Sequence, residues 1–125
     1  MAVRVRLTDG ALGGMVRAPF TPGCGARIMF DGVVRPEEDG QGITGLEYEA
    51  YRPMAEQQLE RIGQELVEQH GLISMNIEHS IGFVPNFACS FRLVIESAHR
   101  KEGLRAMDAF IDRLKQDVPI WKCAK

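Results

Sequence analysis

The stretch SMNIEHSIGFVPNFACSFRLVIES, residues 74–97, decides the fold class. It predicts two strands, about Ser74 to Phe83 and Phe87 to Ser97, joined through Val84-Pro85-Asn86. Both runs are rich in β-branched and aromatic residues, and the proline–asparagine pair between them favours a turn. An antiparallel strand pair is therefore expected at the centre of the fold.

One predicted helix precedes this strand pair and another follows it. The first opens at Pro53, because proline is tolerated in the first turn, and Gly71 ends it as a C-cap. Ser97 is expected to cap the second, which runs to about Asp117 before Pro119. The apolar stripes at helical spacing are Ala55, Leu59, Ile62 and Leu66, then Leu104, Met107, Ile111 and Leu114. Met54, Met107 and Phe110 are interpreted as core residues.

Three further strands are predicted nearer the N-terminus, at Val3 to Leu7, Ala26 to Arg35 and Ile43 to Tyr51. Gly32 marks a bulge in the second of them, whereas residues 10–25 and 36–42 are expected to be irregular. The element order β-β-β-α-β-β-α plus a short tail predicts an α+β domain, with both helices on one face of a mostly antiparallel sheet. The length fits a single domain over residues 1–125.

Composition excludes several classes of protein. The chain is 45% hydrophobic and 26% charged, as expected for a folded domain with a core. No apolar run approaches the roughly 20 residues of a membrane span, and residues 1–6 lack the apolar stretch of a signal peptide. A net charge of −2 and few aromatic residues argue against nucleic acid as a partner. A cytoplasmic location is the default expectation.

Cysteine usage indicates free thiols. Cys24, Cys89 and Cys123 are odd in number and too far apart for a metal-binding pair. No cluster of His, Cys and carboxylate residues has metal-ligand spacing, so neither a metal nor a cofactor is predicted. His70 and His79 have no partner in sequence and are interpreted as structural or exposed.

Charge is unevenly distributed along the chain. Acidic residues concentrate within residues 37–69, whereas residues 99–125 are rich in lysine and arginine. This distribution predicts a local anion site near the C-terminus. A solvated helix face with mixed charges is the alternative.

Lys115 and Lys122 are the candidate catalytic residues. Lys115 follows Ile111 by one helical turn, at the edge of the predicted buried face, where desolvation would favour a neutral, nucleophilic amine. Alternatively, its stem covers apolar surface while its ammonium group reaches water. Pro119 turns the chain back, so that Lys122 can return toward Lys115 and both can bind an anion. The other interpretation is that Trp121 only pins a C-terminal strand to the core.

Three further residues are candidates for anion binding. His99 and Arg100 stand at a strand-to-helix turn, where backbone N–H groups and the helix dipole suit a phosphate. Arg100 could add a bidentate clamp, and Arg35, at the end of a strand, could do the same. Alternatively, all three are ordinary surface residues that are exposed to solvent and bind no ligand.

Four blocks, in order, resemble the large-subunit family of molybdopterin synthase. They are FDGVVR at residues 30–35; LEYEAY at 46–51 with Met54 just beyond; SAHR at 97–100; and IDRLK at 111–115 followed by VPIWK at 118–122. The resemblance covers about residues 25–122. It implies an α/β hammerhead fold and a homodimer of large subunits, with a small ubiquitin-like subunit docked at each end to give a heterotetramer.

The resemblance also implies an activity and a set of site residues. The small subunit would insert a Gly-Gly thiocarboxylate tail, and two sulfur transfers would convert cyclic pyranopterin monophosphate into molybdopterin, in molybdenum cofactor biosynthesis. By this analogy Lys115 and Lys122 are catalytic, and the substrate-binding residues are Arg35, His99 and Arg100. The implied pocket-lining residues are Phe30, Met54, Ile111 and Trp121.

Two departures from the family pattern support a second hypothesis. Pro36-Glu37-Glu38-Asp39 puts acidic residues beside the predicted anion site, and the segment after Lys122 is short. The alternative is a divergent, non-catalytic paralogue that only binds the small subunit as a scaffold.

Overall fold

The computed structural model describes residues 2–14 and 17–125. In chain order its elements are β1 (Val3–Asp9), β2 (Ala26–Val33), β3 (Glu37–Glu38), β4 (Gln41–Gly42), β5 (Gly45–Ala50), α1 (Met54–His70), β6 (Ser74–Pro85), β7 (Cys89–Ser97), α2 (Arg100–Asp117) and β8 (Ile120–Ala124). The predicted α+β class, with a mostly antiparallel sheet and two main helices, is confirmed. Within the described ranges, neither helix is long and apolar enough to span a membrane.

The main sheet has the strand order β2-β7-β6-β5-β8, and β1 adds to β6 in parallel. Strand β6 takes part in three ladders. Its first part lies between β7 and β1, whereas residues 82–85 pair with β5. Strand β5 pairs in turn with β8, so the sheet consists of two adjoining halves that share β6.

Gly82 stands where β6 changes partner. Its φ of +79° lies in the left-handed region that favours glycine, and a Cβ at this position would collide with the carboxylate of Asp9. Gly10 donates its N–H to the Ile81 carbonyl at 2.7 Å and ends the β1 ladder there. The change of partner therefore depends on a left-handed backbone conformation that favours glycine, and a larger residue here would also displace the Asp9 side chain.

Both helices cover one face of the sheet, as predicted. The α1 stripe is confirmed, since Ala55, Leu59, Ile62 and Leu66 are buried. The α2 stripe is partly wrong, because Leu104 is 52% exposed while Phe110 is fully buried. Gly103 explains the rotation: a Cβ there would lie 2.7 Å from Ile28 Cδ1, so the helix approaches the sheet along its glycine side.

Two helix boundaries differ from the sequence prediction. His99, not Ser97, is the N-cap of α2, and the Ser97 hydroxyl instead donates to the His99 carbonyl at 2.6 Å. Pro53 precedes α1 as its N-cap residue rather than lying in the first turn. Gly71 does end α1, with a φ of 65°, and the bulge predicted at Gly32 is confirmed by a register shift to Val33.

Residues 36–42 form a small hairpin where an irregular loop was predicted. Strands β3 and β4 pair only with each other among the described residues. Asp39 and Gly40, at the tip, have φ values of 51° and 78°. Two consecutive left-handed residues are the signature of a type I′ turn, for which Asp-Gly is a preferred sequence. We call residues 36–43 the acidic hairpin.

Candidate functional site

A cavity of about 270 Å³ lies where the two halves of the sheet meet the C-terminal end of α2. Its apolar wall comes from Phe30, Val34, Leu46, Phe91, Ile111 and Leu114. Its charged residues are Arg35, Glu37, Glu38, Lys115 and Lys122. Residues distant in sequence therefore contribute an apolar surface and five charges to one space.

Both candidate lysines line this cavity. One lies in the segment before the chain turns back at Pro119, and the other lies in the segment after it. Lys115 lies in the last turn of α2, and Lys122 lies in β8 opposite Tyr48 of β5. Val118, which is buried, caps the helix by donating its N–H to the Leu114 carbonyl at 3.4 Å. The predicted return of Lys122 toward Lys115 is observed. Lys115 is exposed, which fits the alternative that its ammonium group reaches water, rather than a desolvated amine.

The three cations of the cavity differ in how they are neutralised. Lys122 Nζ lies 3.0 Å from Glu38 Oε2 of the acidic hairpin. Arg35 and Lys115 form no ion pair with any residue that the structure describes. Two cations thus remain available to an anionic ligand, while the third already has a carboxylate partner.

A polar group on the cavity wall was missed by the sequence reasoning. His79 is buried, and its Nδ1 lies 2.7 Å from the Ser80 carbonyl oxygen. A carbonyl can only accept, so Nδ1 carries the proton and, in the neutral ring, Nε2 keeps its lone pair. Burial lowers the pKa of His79, against the opposing effect of the Ser80 hydrogen bond. The neutral ring is therefore favoured.

Tyr48 and Ser90 complete this polar group. The Tyr48 ring meets the His79 ring edge-on, with 5.1 Å between centroids, and its hydroxyl donates to Ser90 Oγ at 3.0 Å. All three residues line the cavity. No sequence spacing brings them together, because β5, β6 and β7 become neighbours only in the folded sheet.

Four of the predicted site residues do not line this cavity in the described chain. His99 and Arg100 begin α2, and the rise of about 1.5 Å per residue puts Arg100 about 22 Å from Lys115 along the helix axis. Trp121 is 59% exposed, because alternation along β8 turns it away from the face that Lys122 occupies. Met54 is 45% exposed at the start of α1, so its interpretation as a core residue is wrong. Phe30, Arg35 and Ile111 line the cavity as expected.

A larger groove, of about 1100 Å³, lies along strands β1, β6 and β7 beside the segment 17–25. Four arginines line it. Arg27 pairs with Glu96 at 2.9 Å and Arg92 pairs with Asp31 at 2.6 Å. Arg4 and Arg6 form no ion pair with any residue that the structure describes. The Thr21 hydroxyl donates to Glu96 at 2.6 Å. This hydrogen bond, helped by Arg27 against the effect of burial, lowers the pKa of Glu96 to about 2. The Arg27–Glu96 pair and its hydrogen bonds thus hold segment 17–25 against the sheet. The smaller cavity is the candidate site, because it brings Arg35, Lys115 and Lys122 together against an apolar wall.

The predicted free thiols are observed at Cys24, Cys89 and Cys123. Burial, with the nearby charge of Asp31, raises the pKa of the Cys89 thiol. The residues that the structure describes contain no group of His, Cys, Asp and Glu side chains that could hold a metal ion.

Together, the fold and the cavity define an α+β protein with a pocket, lined by three cationic side chains, at the junction of two antiparallel ladders. The family model described as MoaE protein matches residues 7–117. The chain belongs to the MoaE protein family.

Relatives with this fold are named for one enzyme. The chain is 38% identical over 103 residues to the molybdopterin synthase catalytic subunit of Homo sapiens, covering 82% of this chain and 55% of that protein. It is 42% identical over 98 residues to the subunit of the same name from Bacillus subtilis, covering 78% and 62%. The chain thus spans little more than half the length of the human protein.

Solved structures extend the comparison to three dimensions. The crystal structure of molybdopterin synthase from Staphylococcus aureus has a TM-score of 0.79 and 39% identity, and the match covers 85% of this chain and 77% of that one. A complex of subunits 1 and 2 of molybdopterin-converting factor from Helicobacter pylori has a TM-score of 0.76 and 25% identity, covering 96% and 83%.

Proposed function

We propose that this chain is a molybdopterin synthase catalytic subunit, which transfers sulfur from the thiocarboxylated C-terminus of a small ubiquitin-like subunit to cyclic pyranopterin monophosphate. The names of its relatives support this activity. The observation that carries the proposal is the presence of Arg35, Lys115 and Lys122 in one cavity with an apolar wall. Such a cavity suits a reaction between a phosphorylated substrate and an anionic sulfur donor.

The chemistry assigns a task to each cation. In each transfer the thiocarboxylate sulfur would bond to a side-chain carbon of the pterin in place of an oxygen substituent. Water would then cleave the resulting thioester, which leaves the sulfur on the pterin and a carboxylate on the small subunit. Arg35 would hold the phosphate through paired N–H donors. Lys122 would meet the incoming thiocarboxylate, and Lys115 would stabilise the negative charge that develops during transfer. Positive groups act more strongly in such a place than in open water, because the apolar wall lowers the local dielectric constant.

A second copy of the chain would account for His99 and Arg100. Both residues are exposed at the N-terminal end of α2, too far from the cavity of their own chain to reach it. A twofold dimer that applies this end of α2 to the partner's cavity would add two further phosphate-binding groups. The heterotetramer of two large and two small subunits is part of the proposal. The Helicobacter pylori complex of two different subunits supports the small-subunit partner.

Several other features of the chain stay predictions. They are the single domain over residues 1–125, the cytoplasmic location and the absence of a cofactor. Met54 and Trp121 could still line a pocket completed by another chain, since both are exposed.

The alternative function is a non-catalytic scaffold that binds the small subunit. One observation favours it: Glu37 and Glu38 line the cavity, and Glu38 neutralises Lys122. A site permanently neutralised in this way would bind the partner but would stabilise a transferring anion poorly.

Reconstitution with cyclic pyranopterin monophosphate and the thiocarboxylated small subunit tests the proposal. Molybdopterin should form, and Lys115→Ala and Lys122→Ala should each lower turnover about 100-fold or more, as expected when a group that stabilises transition-state charge is removed. Arg61→Ala is the control, because Arg61 is an exposed cation of α1 outside the cavity and away from the N-terminal end of α2. Full turnover by both lysine variants would refute the assignment. Tight small-subunit binding without product would favour the scaffold.

A further inference from the structure

The acidic hairpin brings a carboxylate to the cavity, and this carboxylate binds a proposed catalytic lysine. Glu38 Oε2 lies 3.0 Å from Lys122 Nζ; the Glu38 side chain is 19% exposed and that of Lys122 is 56% exposed. Glu37, next to it, also lines the cavity but forms no ion pair with any described residue. Glu38 alone therefore acts as an internal counter-ion.

The hairpin that carries Glu38 is attached to the fold only at its base. Its two short strands form a sheet of their own, and the Ile43 N–H closes the hairpin by donating to the Pro36 carbonyl at 3.0 Å. Within the described residues no strand ladder joins it to the main sheet. The Glu38–Lys122 ion pair is thus a tether between the hairpin and β8 that can be exchanged without breaking the main sheet.

We infer that Glu38 occupies the position of a peptide C-terminal carboxylate at Lys122 and must be displaced when the partner's tail enters. The inference rests on the proposed function, which brings a chain ending in a thiocarboxylate or carboxylate to this cavity. The chemical match is direct, because the glutamate side chain and a C-terminal residue both present a carboxylate at the end of a short chain. Glu38 makes entry selective for a ligand whose own negative charge can replace it at Lys122.

The charge balance supports exchange rather than simple addition. With Arg35, Lys115 and Lys122 against Glu37 and Glu38, the five charged residues of the cavity sum to +1. An anionic ligand that enters while Glu38 stays at Lys122 would have to share the lysine with the Glu38 carboxylate, which carries the same negative charge. When the Glu38 side chain alone leaves, the remaining charged residues sum to +2, and when the whole hairpin moves away with Glu37 they sum to +3; in both cases Lys122 becomes fully available.

The ion pair is weak enough to be exchanged. Lys122 is more than half exposed, and pairs of this kind stabilise a contact by an amount equivalent to roughly a two- to fivefold change in an equilibrium constant. Glu38 therefore lowers the affinity for a carboxylate by a factor of that order without blocking the site.

Binding of a short peptide that ends in a Gly-Gly carboxylate tests the inference. Titration calorimetry would compare the wild type, Glu38→Gln and the matched control Glu37→Gln, with the Gly-Gly-amide peptide as a second probe. Glu38→Gln should bind the carboxylate peptide roughly two- to fivefold more tightly, Glu37→Gln should show a smaller gain, and the amide peptide should show none. In a Lys122→Ala background Glu38→Gln should have no effect, as a double-mutant cycle requires for a direct pair.

Several outcomes would overturn the inference. These are unchanged or weaker binding of the carboxylate peptide by Glu38→Gln, no binding of that peptide at all, an equal gain for the amide, or an equal gain in the Lys122→Ala background. A gain for inorganic phosphate alone would reassign the Lys122 position to the substrate and reject the peptide. Unfolding curves of Glu38→Gln that match the wild type would show that the fold is intact.

This experiment is independent of turnover. A chain that makes no molybdopterin but shows the Lys122-dependent gain would refute the proposed function and leave the role of Glu38 standing. If the wild type makes molybdopterin normally but Glu38→Gln shows no gain in peptide binding, the proposed function stands and the role of Glu38 is refuted.

Discussion

Phe91 of β7 and Phe110 of α2 have nearly parallel rings, with centroids 6.2 Å apart and planes 8° apart. Phe110 is fully buried, whereas Phe91 also forms part of the cavity wall. The contact attaches the helix that carries Ile111, Leu114 and Lys115 to the strand behind the cavity. The position of Lys115 thus depends on the core directly beneath it.

Phe110→Ala should therefore destabilise the whole domain. Loss of a buried phenyl ring costs about 3–5 kcal/mol, because transfer free energy is lost and a void remains. Leu104→Ala, on the exposed side of the same helix, should change the free energy of unfolding by only about 0.5 kcal/mol. Urea unfolding of the two variants measures the difference, and equal effects would show that the buried face of α2 has been wrongly identified.

The stability of the domain should fall as the pH drops below about 6.5, because of His79. Burial lowers the pKa of His79 from its ordinary value of 6.5, so the unfolded chain takes up a proton before the folded chain does. The stabilisation is complete above pH 6.5 and is lost progressively at lower pH. His79→Asn should flatten the dependence of the unfolding free energy on pH between about 7 and 5.

Ser90→Ala, elsewhere on the cavity wall, is the control for this titration, because it removes a hydrogen bond from the Tyr48 hydroxyl and no group that titrates between pH 7 and 5. It should lower stability by a similar amount at every pH in this range. If His79→Asn does not change the slope, His79 has the same pKa in the folded and the unfolded chain, and the effect assigned to its burial is wrong.

A second loss of stability is expected at acidic pH from Glu96. Its pKa is held at about 2 by the Thr21 hydroxyl and by Arg27. Since this lies below the ordinary value of 4.5, the stabilisation is present above pH 4.5 and disappears as the pH falls toward 2.

Thr21→Val removes the strongest hydrogen bond to this carboxylate, and should cost about 1.5 kcal/mol at neutral pH and reduce the acid-dependent loss. Thr44→Val is the matched control, because the Thr44 hydroxyl donates to the Lys125 carbonyl instead of to a carboxylate. Thermal unfolding from pH 7 to pH 2 provides the measurement. Equal behaviour of the two valine variants would contradict the role given to Thr21.

Mixing inactive variants tests whether two chains build one site. If Arg100 acts in the partner's cavity, Arg100→Ala and Lys115→Ala dimers exchanged at equal concentration should recover about one quarter of wild-type turnover. This is because half the dimers are mixed and one of their two sites is intact. A mixture of Lys115→Ala with Lys122→Ala should recover nothing, since both lysines line the cavity of a single chain. If neither mixture recovers turnover, Arg100 does not act in the partner's cavity.

The pattern of residues within short segments of the sequence predicted a large part of this fold. The 3.6-residue periodicity of α1, the glycine that ends it and the alternation of the strands are properties of short segments, and the structure confirms them. The approach of Lys122 to Lys115 was predictable for the same reason, because Pro119 turns the chain between them. The Asp39-Gly40 pair is a preferred sequence of a hairpin turn and could have predicted the acidic hairpin, in place of the irregular loop expected over residues 36–42.

Other features depended on contacts between distant segments. The rotation of α2 that exposes Leu104 follows from the close approach of Gly103 to Ile28, which no helical pattern contains. His79 reaches the cavity wall because β6 runs through both halves of the main sheet. The separation of Arg100 from Lys115, in contrast, follows from helix length alone and could have been calculated.

Strand β8 lies at the end of the strand order and pairs with β5. Its register decides which side chain enters the cavity, because a slip of one residue would turn every side chain to the opposite face. Such a slip would withdraw the amine of Lys122 and present either the indole of Trp121 or the thiol of Cys123 in its place. The chemical identity of the site thus depends on one backbone alignment at the margin of the sheet.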